Sequence, residues 1–593
     1  MENTHQAHQE VPIETIEDDD FFDVLIIGGG PHALGLAARL REPFPASLYT
    51  DLEHSKLSFL RTRRKSQSIN LGRSDTDGIH TKILALDSNA SEGWLGRWNG
   101  FFNHLQIPHL RSPMFFHPGP SDVDGLEAFA KKTGAESACA TSNGVENTKP
   151  TVGQSEKGGD RKCRRSRALL GRAVNERERA SYFRPTTDLF QKFCQIELIK
   201  RYNLGEVIKH DTVTGIHYSI LHVKTEGRGF GFTVTTSKGK KYGARFVVMS
   251  IGPQEFPIVP SCLIPSQSIT DSHHGDGWCH SLWFSKGGNN EFKASVKQSS
   301  IDGGSIVVIG GGYERARKVI LICRGYLKTK HYDFPLSWVT KYSNLEKMNF
   351  WQEDCREARL NMVRNARNGG SVNPSTLFQI KRRVAEGRLK VLLHTTVQTA
   401  TRDKSTGTWS LKLRTESPEA SEPVFEQMED VRFIVASTGG KLNFCKIPFL
   451  QPLLQQMRNT ELDQPNNSSN QIPPIIQGLP HLTESLQWGE QLPLFVMGGY
   501  AALELGPDAG NLSGSRSGAE RVGSKLNELL EEEWPLDSNA INPEPNDKAL
   551  HHSNKVSYVK RALKRQNKIH MGARDRRAGN IGGWFDSLKE IEA

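Results

Sequence analysis

The feature that most constrains this chain is a pair of glycine triplets, each closing a short apolar run: Asp23-Val-Leu-Ile-Ile-Gly28-Gly29-Gly30 and Ile306-Val-Val-Ile-Gly310-Gly311-Gly312. A β-rich run that ends in glycine predicts a buried strand followed by a tight turn. Glycine enters the left-handed backbone region without steric penalty and leaves room for a phosphate to approach the main chain. Two such turns in one chain predict two nucleotide-binding modules.

The first turn has the surroundings that such a site requires. Pro31 stands where a helix would begin, and Leu34, Leu36, Ala37, Ala38 and Leu40 continue it until Pro43 and Pro45. Gly28 permits the turn, Gly30 admits a pyrophosphate, and Ala33 lets helix pack on strand, so Gly28, Gly29, Gly30, Pro31, His32 and Ala33 form the expected cofactor turn. The helix dipole would face the phosphates. Ser47-Leu-Tyr-Thr50 is predicted to return as the second strand. Asp51 ends it near the spacing at which a carboxylate accepts hydrogen bonds from ribose hydroxyls. Far downstream, Leu494-Phe-Val-Met-Gly498-Gly499-Tyr500, then Leu505-Gly-Pro507 and Asn511-Leu512-Ser-Gly514, form a further strand-to-glycine junction with a loop and a helix start.

A pattern repeats between the triplets. Residues 206–253 run through Val213-Thr-Gly-Ile and Gly231-Phe-Thr-Val-Thr-Thr to Phe246-Val-Val-Met-Ser250-Ile-Gly252, a β-meander ending in an apolar strand and glycine. Residues 389–440 do the same, ending in Phe433-Ile-Val-Ala-Ser437-Thr-Gly439. The expected fold class is therefore α/β, with two nested Rossmann-like dinucleotide-binding domains and β-meanders. The expected division is an acidic disordered tail at 1–20, the first part of a first dinucleotide-binding domain at 21–253 with a disordered insertion at 134–180, a second dinucleotide-binding domain at 254–440, the closing part of the first at 441–535 and a basic extension at 536–593.

Length and composition suit this reading. At 593 residues and 36% hydrophobic, the chain can bury two or three cores. No apolar stretch approaches the roughly 20 residues of a membrane span, and the first 20 residues are acidic and polar, so a cytoplasmic protein with no membrane span is expected. The eight cysteines include no Cys-x-x-Cys pair, which argues against a redox dithiol or structural zinc. The net charge of +10 is concentrated at 161–179, with eight basic residues against two acids, and at 555–577, with nine against one. Both stretches read as solvated surface rather than as a nucleic-acid site.

The first triplet, the junctions Ser250-Ile-Gly252 and Ser437-Thr-Gly439, and Leu505-Gly-Pro-Asp-Ala-Gly-Asn-Leu-Ser-Gly514 together resemble the FAD/NAD(P)-binding flavoproteins. Among these, the N-hydroxylating monooxygenases of lysine or ornithine side chains are most similar. The resemblance implies a glutathione-reductase-type FAD domain, an NADPH domain, O₂ as co-substrate and a small amine or similar nucleophile as substrate. It further implies flavin contacts from Trp98, His109, Arg111 and Ser112, and cofactor contacts from Val213, Gly252, Gly439, Gly498, Pro507, Asn511 and Leu512. Metal ligands are not expected. One departure stands out: such proteins carry an acid just after the closing strand's glycine, whereas this chain has Gly499-Tyr500.

At the second turn, Gly310, Gly311 and Gly312 are the expected NADPH contacts, with Arg324, Lys328 and Lys330 as readers of a 2′-phosphate. Only six residues, Tyr313–Lys318, separate Gly312 from the apolar run Val319-Ile-Leu-Ile. A parallel crossover ordinarily needs 10 to 12 or more. Either residues 313–327 are themselves the helix, or the usual helix is missing. The second alternative makes a flavin-binding redox sensor or regulatory protein the rival to a monooxygenase.

Overall fold

The computed structural model describes residues 14–43, 45–46, 81–139, 181–252, 255–264, 273–286, 304–310, 319–340, 342–416, 422–463, 472–531 and 534. Strand β1 is Glu14–Ile16, β2 is Phe21–Ile27, β3 is Ile83–Asp87, β4 is Ile208–His210, β5 is Val213–Val223, β6 is Gly227–Thr236 and β7 is Lys241–Met249. They form one sheet in the order β1-β5-β6-β7-β2-β3-β4. β2 lies between β7 and β3, parallel to both, with Ile27 opposite Met249 on one side and Leu86 on the other. Val24, Leu25 and Ile26 are fully buried, which explains why β2 reads as a continuous apolar run rather than an alternating one.

Two helices cover one face of this sheet. α1 is Pro31–Arg41 and α4, the last helix described, is Leu512–Leu529. Small residues let them approach. A Cβ at Gly35 would meet Ser515 Oγ at 3.2 Å, and one at Gly523 would meet Arg39 Cγ at 2.8 Å. Ser515 donates to Pro31 O at the start of α1, and Arg39 pairs with Glu520 at 2.5 Å near its end. The helices therefore run parallel, with both N-termini at the glycine-rich edge of the sheet.

The second sheet repeats the plan. β8 is Glu255–Pro257, β9 His274–Gly275, β10 Trp278–His280, β11 Ser305–Gly310, β12 Val319–Ile322, β13 Leu389–Leu392, β14 Thr395–Arg402, β15 Trp409–Thr415 and β16 Val424–Ser437. The order is β13-β12-β11-β16-β10-β9, with the meander β14-β15-β16 attached through β16. Ile306 and Val308 of β11 face one core, which includes Ile380 of helix α3 (Pro374–Ala385), while Val307 and Ile309 face the meander residues Trp409, Leu411 and Leu413. β17, Gly440–Leu442, pairs antiparallel with β8, so the chain enters and leaves the second sheet through one two-stranded ribbon. β18 (Ile475–Ile476) and β19 (Leu479–Pro480) form a hairpin, and β20 (Leu494–Val496) adds to the C-terminal half of β7.

Several expectations are corrected. Val319–Ile322 is a strand, parallel to β11 with Ile306 opposite Val319 and to β13 with Val319 opposite Leu389. The reading of 313–327 as a helix therefore fails, because all four apolar side chains of β12 are needed between neighbours on both sides. Eight residues join β11 to β12, fewer than the eleven of α1. Residues 14–20 are not part of a disordered tail: Ile16 is 3% exposed and packs on Phe21, Leu221 and Val223, which holds β1 on the sheet edge. The strand beside β2 opposite β7 is β3, and Ser47–Thr50 and Asp51 lie outside the described residues. Most of the insertion expected at 134–180 and both basic stretches lie outside them too.

Candidate dinucleotide-binding site

The first site is built on a close approach of two strands. Gly28 has φ +118°, and a Cβ there would lie 2.3 Å from the carbonyl oxygen of Ser250, immediately after β7. Ser250 N–H in turn donates to Ile27 O at 2.8 Å. Gly29 N–H donates to Asp87 Oδ2 at 2.6 Å, tying the turn to the end of β3, and its carbonyl accepts from Leu95 N–H. At Gly30, the N-cap of α1, a Cβ would meet nothing within 4 Å. Gly30 therefore borders open space in front of the helix, where the N–H groups of His32 and Ala33 have no partner within the first turn. The N-terminus of α4 opens beside it, so two helix dipoles present their positive ends to one glycine-lined cradle.

The closing segment completes this cradle. Gly498 follows β20 with φ +79°, and the nearest atoms to a Cβ there would be Cε1 and Nδ1 of His32, both at 4.0 Å. The loop before α4 is held by α2, Arg356–Arg367, whose Leu360, Val363 and Ala366 pack in the main core: Arg367 Nε donates to Pro507 O at 2.9 Å and its NH2 to Asn511 Oδ1 at 3.3 Å. Leu512, the first residue of α4, is buried in the main core. Val213 opens β5 with its side chain buried, and Gly252, with φ +68°, leaves open space after β7.

Burial also sets the charge of the imidazoles here. His32 is pushed down to about 4 by desolvation, offset in part by the Gly510 backbone. His117 falls to about 3 through burial and the field of Arg516, offset in part by Val123 O. Both folded values lie below the ~6.5 of an unfolded histidine, so the unfolded chain binds more protons as pH drops through that interval and stability falls with it. The unfolding midpoint is expected to be insensitive to these groups above about pH 6.5 and to decline from there toward pH 4. A His117→Asn variant should show a shallower decline in a thermal-unfolding pH series.

The second site shares the geometry of the first. Gly310 has φ +120°, and its Cβ would lie 2.1 Å from Ser437 O. Gly439, like Gly252, has a positive φ and open space around it. Gly311 and Gly312 lie outside the described residues. Arg324 is exposed just beyond β12. Lys328 and Lys330 are committed elsewhere: Lys328 Nζ donates to Asn368 O and Oδ1 at 2.8 and 2.9 Å, and Lys330 Nζ to Ala366 O and Arg367 O. They cap the C-terminal carbonyls of α2 rather than project as phosphate readers.

The aromatic and polar cluster expected at the flavin is likewise occupied by protein. Arg111 donates to Ser371 O at 2.8 Å, Ser371 Oγ at 2.9 Å and Lys330 O at 2.9 Å, and pairs with Asp333 at 3.1 Å. It staples its own segment to the chain near β12. His109 Nε2 hydrogen-bonds to Ala138 O, and its backbone bridges to Thr186. Ser112 is half-buried beside Arg111. Trp98 sits in an aromatic cluster, its ring 4.9 Å from Phe102 and 5.9 Å from Phe190. Sequence reasoning missed Asp87. Its signal is the apolar strand Ile83-Leu-Ala-Leu ending in an acid, 58 residues beyond Gly29. Among the described residues no three His, Cys, Asp or Glu side chains are grouped to hold a metal, and no helix is long and apolar enough to cross a membrane.

No family model and no curated protein matches this sequence. Solved structures do. The FAD-bound cadaverine monooxygenase of the desferrioxamine biosynthetic pathway of Erwinia amylovora is 15% identical, with a TM-score of 0.50, 87% of this chain and 96% of that one being covered. The ornithine hydroxylase of Pseudomonas aeruginosa and the L-lysine 6-monooxygenase of Pseudomonas syringae, each 15% identical, give TM-scores of 0.48 and 0.46, with 86% of this chain and 100% of theirs covered. The fold is that of the two-domain FAD/NAD(P)-binding flavoproteins. Within that class, the solved structures that this chain is similar to include N-hydroxylating monooxygenases.

Proposed function

We propose that this chain is an FAD-dependent, NADPH-using oxidoreductase of the N-hydroxylating monooxygenase type, acting with O₂ on a small amine or similar nucleophile. The observation that carries the reading is the cradle at Gly28–Ala33: open space at Gly30, two converging helix N-termini and a nearby carboxylate on β3. That combination fits an extended anionic dinucleotide. The N–H groups at the starts of α1 and α4 would hold the pyrophosphate, and Asp87 would face the ribose, since each carboxylate oxygen keeps a second lone pair beyond its bond to Gly29 or Asn89. Bound FAD would supply hydride acceptance and oxygen activation, while the chain positions substrate and excludes water.

The eight-residue β11–β12 connection and the engagement of Lys328 and Lys330 favour a second reading, an FAD-binding redox-sensing or regulatory protein without turnover. One experiment separates the two. Purified protein should be yellow and release FAD on denaturation, and anaerobic NADPH should bleach it within seconds. Bleaching supports the enzyme, whereas bound FAD that NADPH leaves oxidised supports the regulator. A colourless protein that cannot be reconstituted with FAD would sink both.

A further inference from the structure

Arg39, Arg184 and Arg359 are the most deeply buried arginines among the described residues, at 2%, 8% and 7% exposed. Arg39 pairs with Glu520, and Arg359 donates to Glu504 and to three backbone carbonyls. The Arg184 guanidinium has neither a hydrogen-bond nor an ion-pair partner. A charge buried in that state carries a desolvation penalty that nothing in the protein offsets.

Its surroundings add to this cost instead of relieving it. Three backbone bonds, Thr187 N–H to Pro108 O, Leu110 N–H to Pro185 O and Met114 N–H to Ser181 O, join residues 108–114 to 181–187 in one antiparallel register. His109 bridges to Thr186 in that register, which sets Arg184 opposite Arg111. Like charges so placed repel. Arg111 commits both terminal nitrogens to Ser371, Lys330 O and Asp333, and its buried Nε is left without a partner. The segment after β12 lies against the same pair of strands, where Tyr332 Oη donates to Tyr182 O. Burial and the fields of Arg184 and Arg111 all lower the proton affinity of His331, the residue before it. Burial, Lys328, Arg111 and Arg367 likewise lower that of Lys330, with Asp333 alone acting against them.

Cations from three segments thus surround a dry guanidinium, and their chemical complement is an oxyanion. The fork of an arginine matches a carboxylate or a phosphate two hydrogen bonds at a time. Arg111 Nε–H and a ring N–H of His331 are the further donors at hand. None of these residues belongs to the dinucleotide cradle. We propose that Arg184, Arg111 and His331 form a second ligand site, which binds the oxyanion of a carboxylate or a phosphate group.

Unfolding midpoints test this for the wild type, Arg184→Met and Arg184→Lys in sodium chloride, sodium phosphate and sodium acetate of equal ionic strength. Each is measured without FAD and with FAD in excess, which keeps phosphate out of the cradle. Phosphate or acetate should raise the wild-type midpoint above its value in chloride, and the anion with the larger effect identifies the ligand's group. The rise should vanish in Arg184→Met, and calorimetric titration should show that anion bound about ten- to a hundredfold more weakly, the worth of hydrogen bonds to a charged group. Arg184→Lys keeps the charge without the fork and should bind between the two. In chloride, Arg184→Met should unfold at or above the wild-type midpoint, because it removes a buried charge that has no partner to lose.

That last result separates a ligand site from a structural role. An Arg184→Met protein that is less stable in chloride, or that does not fold, overturns the proposal, since the guanidinium then has a partner within the fold. A rise absent from the wild type, or equal in Arg184→Met, overturns it too. The series without FAD is complete in itself, so failure of the chain to bind FAD would count against the functional reading and leave the oxyanion site standing.

Discussion

Gly28→Ala is expected to yield a protein that retains no FAD through desalting and unfolds at much lower denaturant. At φ +118° a side chain is strained whatever surrounds it, and here the new methyl would stand 2.3 Å from Ser250 O. Relief would require β2 and β7 to separate, yet the Ser250 N–H bond to Ile27 and the register of Ile27 with Met249 hold them. Overpacking of this kind together with the strained backbone amounts to about 3–5 kcal/mol. Gly310→Ala should have a similar structural cost, since Ser437 O lies 2.1 Å from its Cβ, but it should spare FAD and lose the bleaching by NADPH. Gly30→Ala is the control. With nothing within 4 Å of its Cβ, it should keep the unfolding midpoint of the wild type and lose FAD affinity by filling the cradle. Absorbance of retained flavin and denaturant titration separate the three outcomes.

Arg359→Met is expected to destabilise the protein by about 3–5 kcal/mol, because it removes one partner of a buried ion pair. Arg359 and Glu504 are 7% and 3% exposed, and the guanidinium donates to Glu504 and to the carbonyls of Glu353, Leu503 and Trp351. Burial holds the Glu504 carboxyl above the usual carboxylate range in spite of Arg356, Arg359 and Arg521. Losing Arg359 leaves that carboxyl with Arg356 at 2.6 Å and the field of Arg521, and strands three carbonyls. The double variant Arg359→Met with Glu504→Met should lose less than the sum of the single variants, since neither member of the pair is then left facing the gap of the other. Additive losses in denaturant titrations would mean that the two side chains do not act as a pair. The effect should also reach the cradle, because α2 carries both Arg359 and the Arg367 that holds the loop before α4.

Both strand-to-glycine turns and both meanders were legible in the sequence, because a strand buried on both faces must read as an unbroken apolar run and only glycine fits where two backbones nearly touch. The residues at Gly28 and Gly310 therefore announce themselves. Asp87 did not, because the usual spacing from glycine to acid presumes a short return after α1, and here the strand beside β2 comes much later in the chain. Arg111 shows a different limit. An arginine among aromatics looks the same in sequence whether its fork meets a ligand or the carbonyl of Ser371, since both offer acceptors of the same geometry. Lys328 and Lys330 likewise follow β12 at positions suited to a phosphate, and only the fold reveals that the end of α2 claims them.

The ribbon of β8 and β17 makes the second sheet a guest in the first. Gly440 stands opposite Pro257, and Ile258 N–H donates to Gly439 O, so the guest begins and ends at the same point of its host. A host interrupted in this way needs from its guest that the two ends stay adjacent, a condition that insertions with neighbouring termini meet by themselves, and that α2 keep its hold on the loop before α4. The cradle at Gly28 draws its strands and both helix ends from the host. Selection could therefore erode the guest's own ligand contacts, or rewrite them for another molecule, without disturbing the host's nucleotide, and the two halves of such a protein are free to age at different rates.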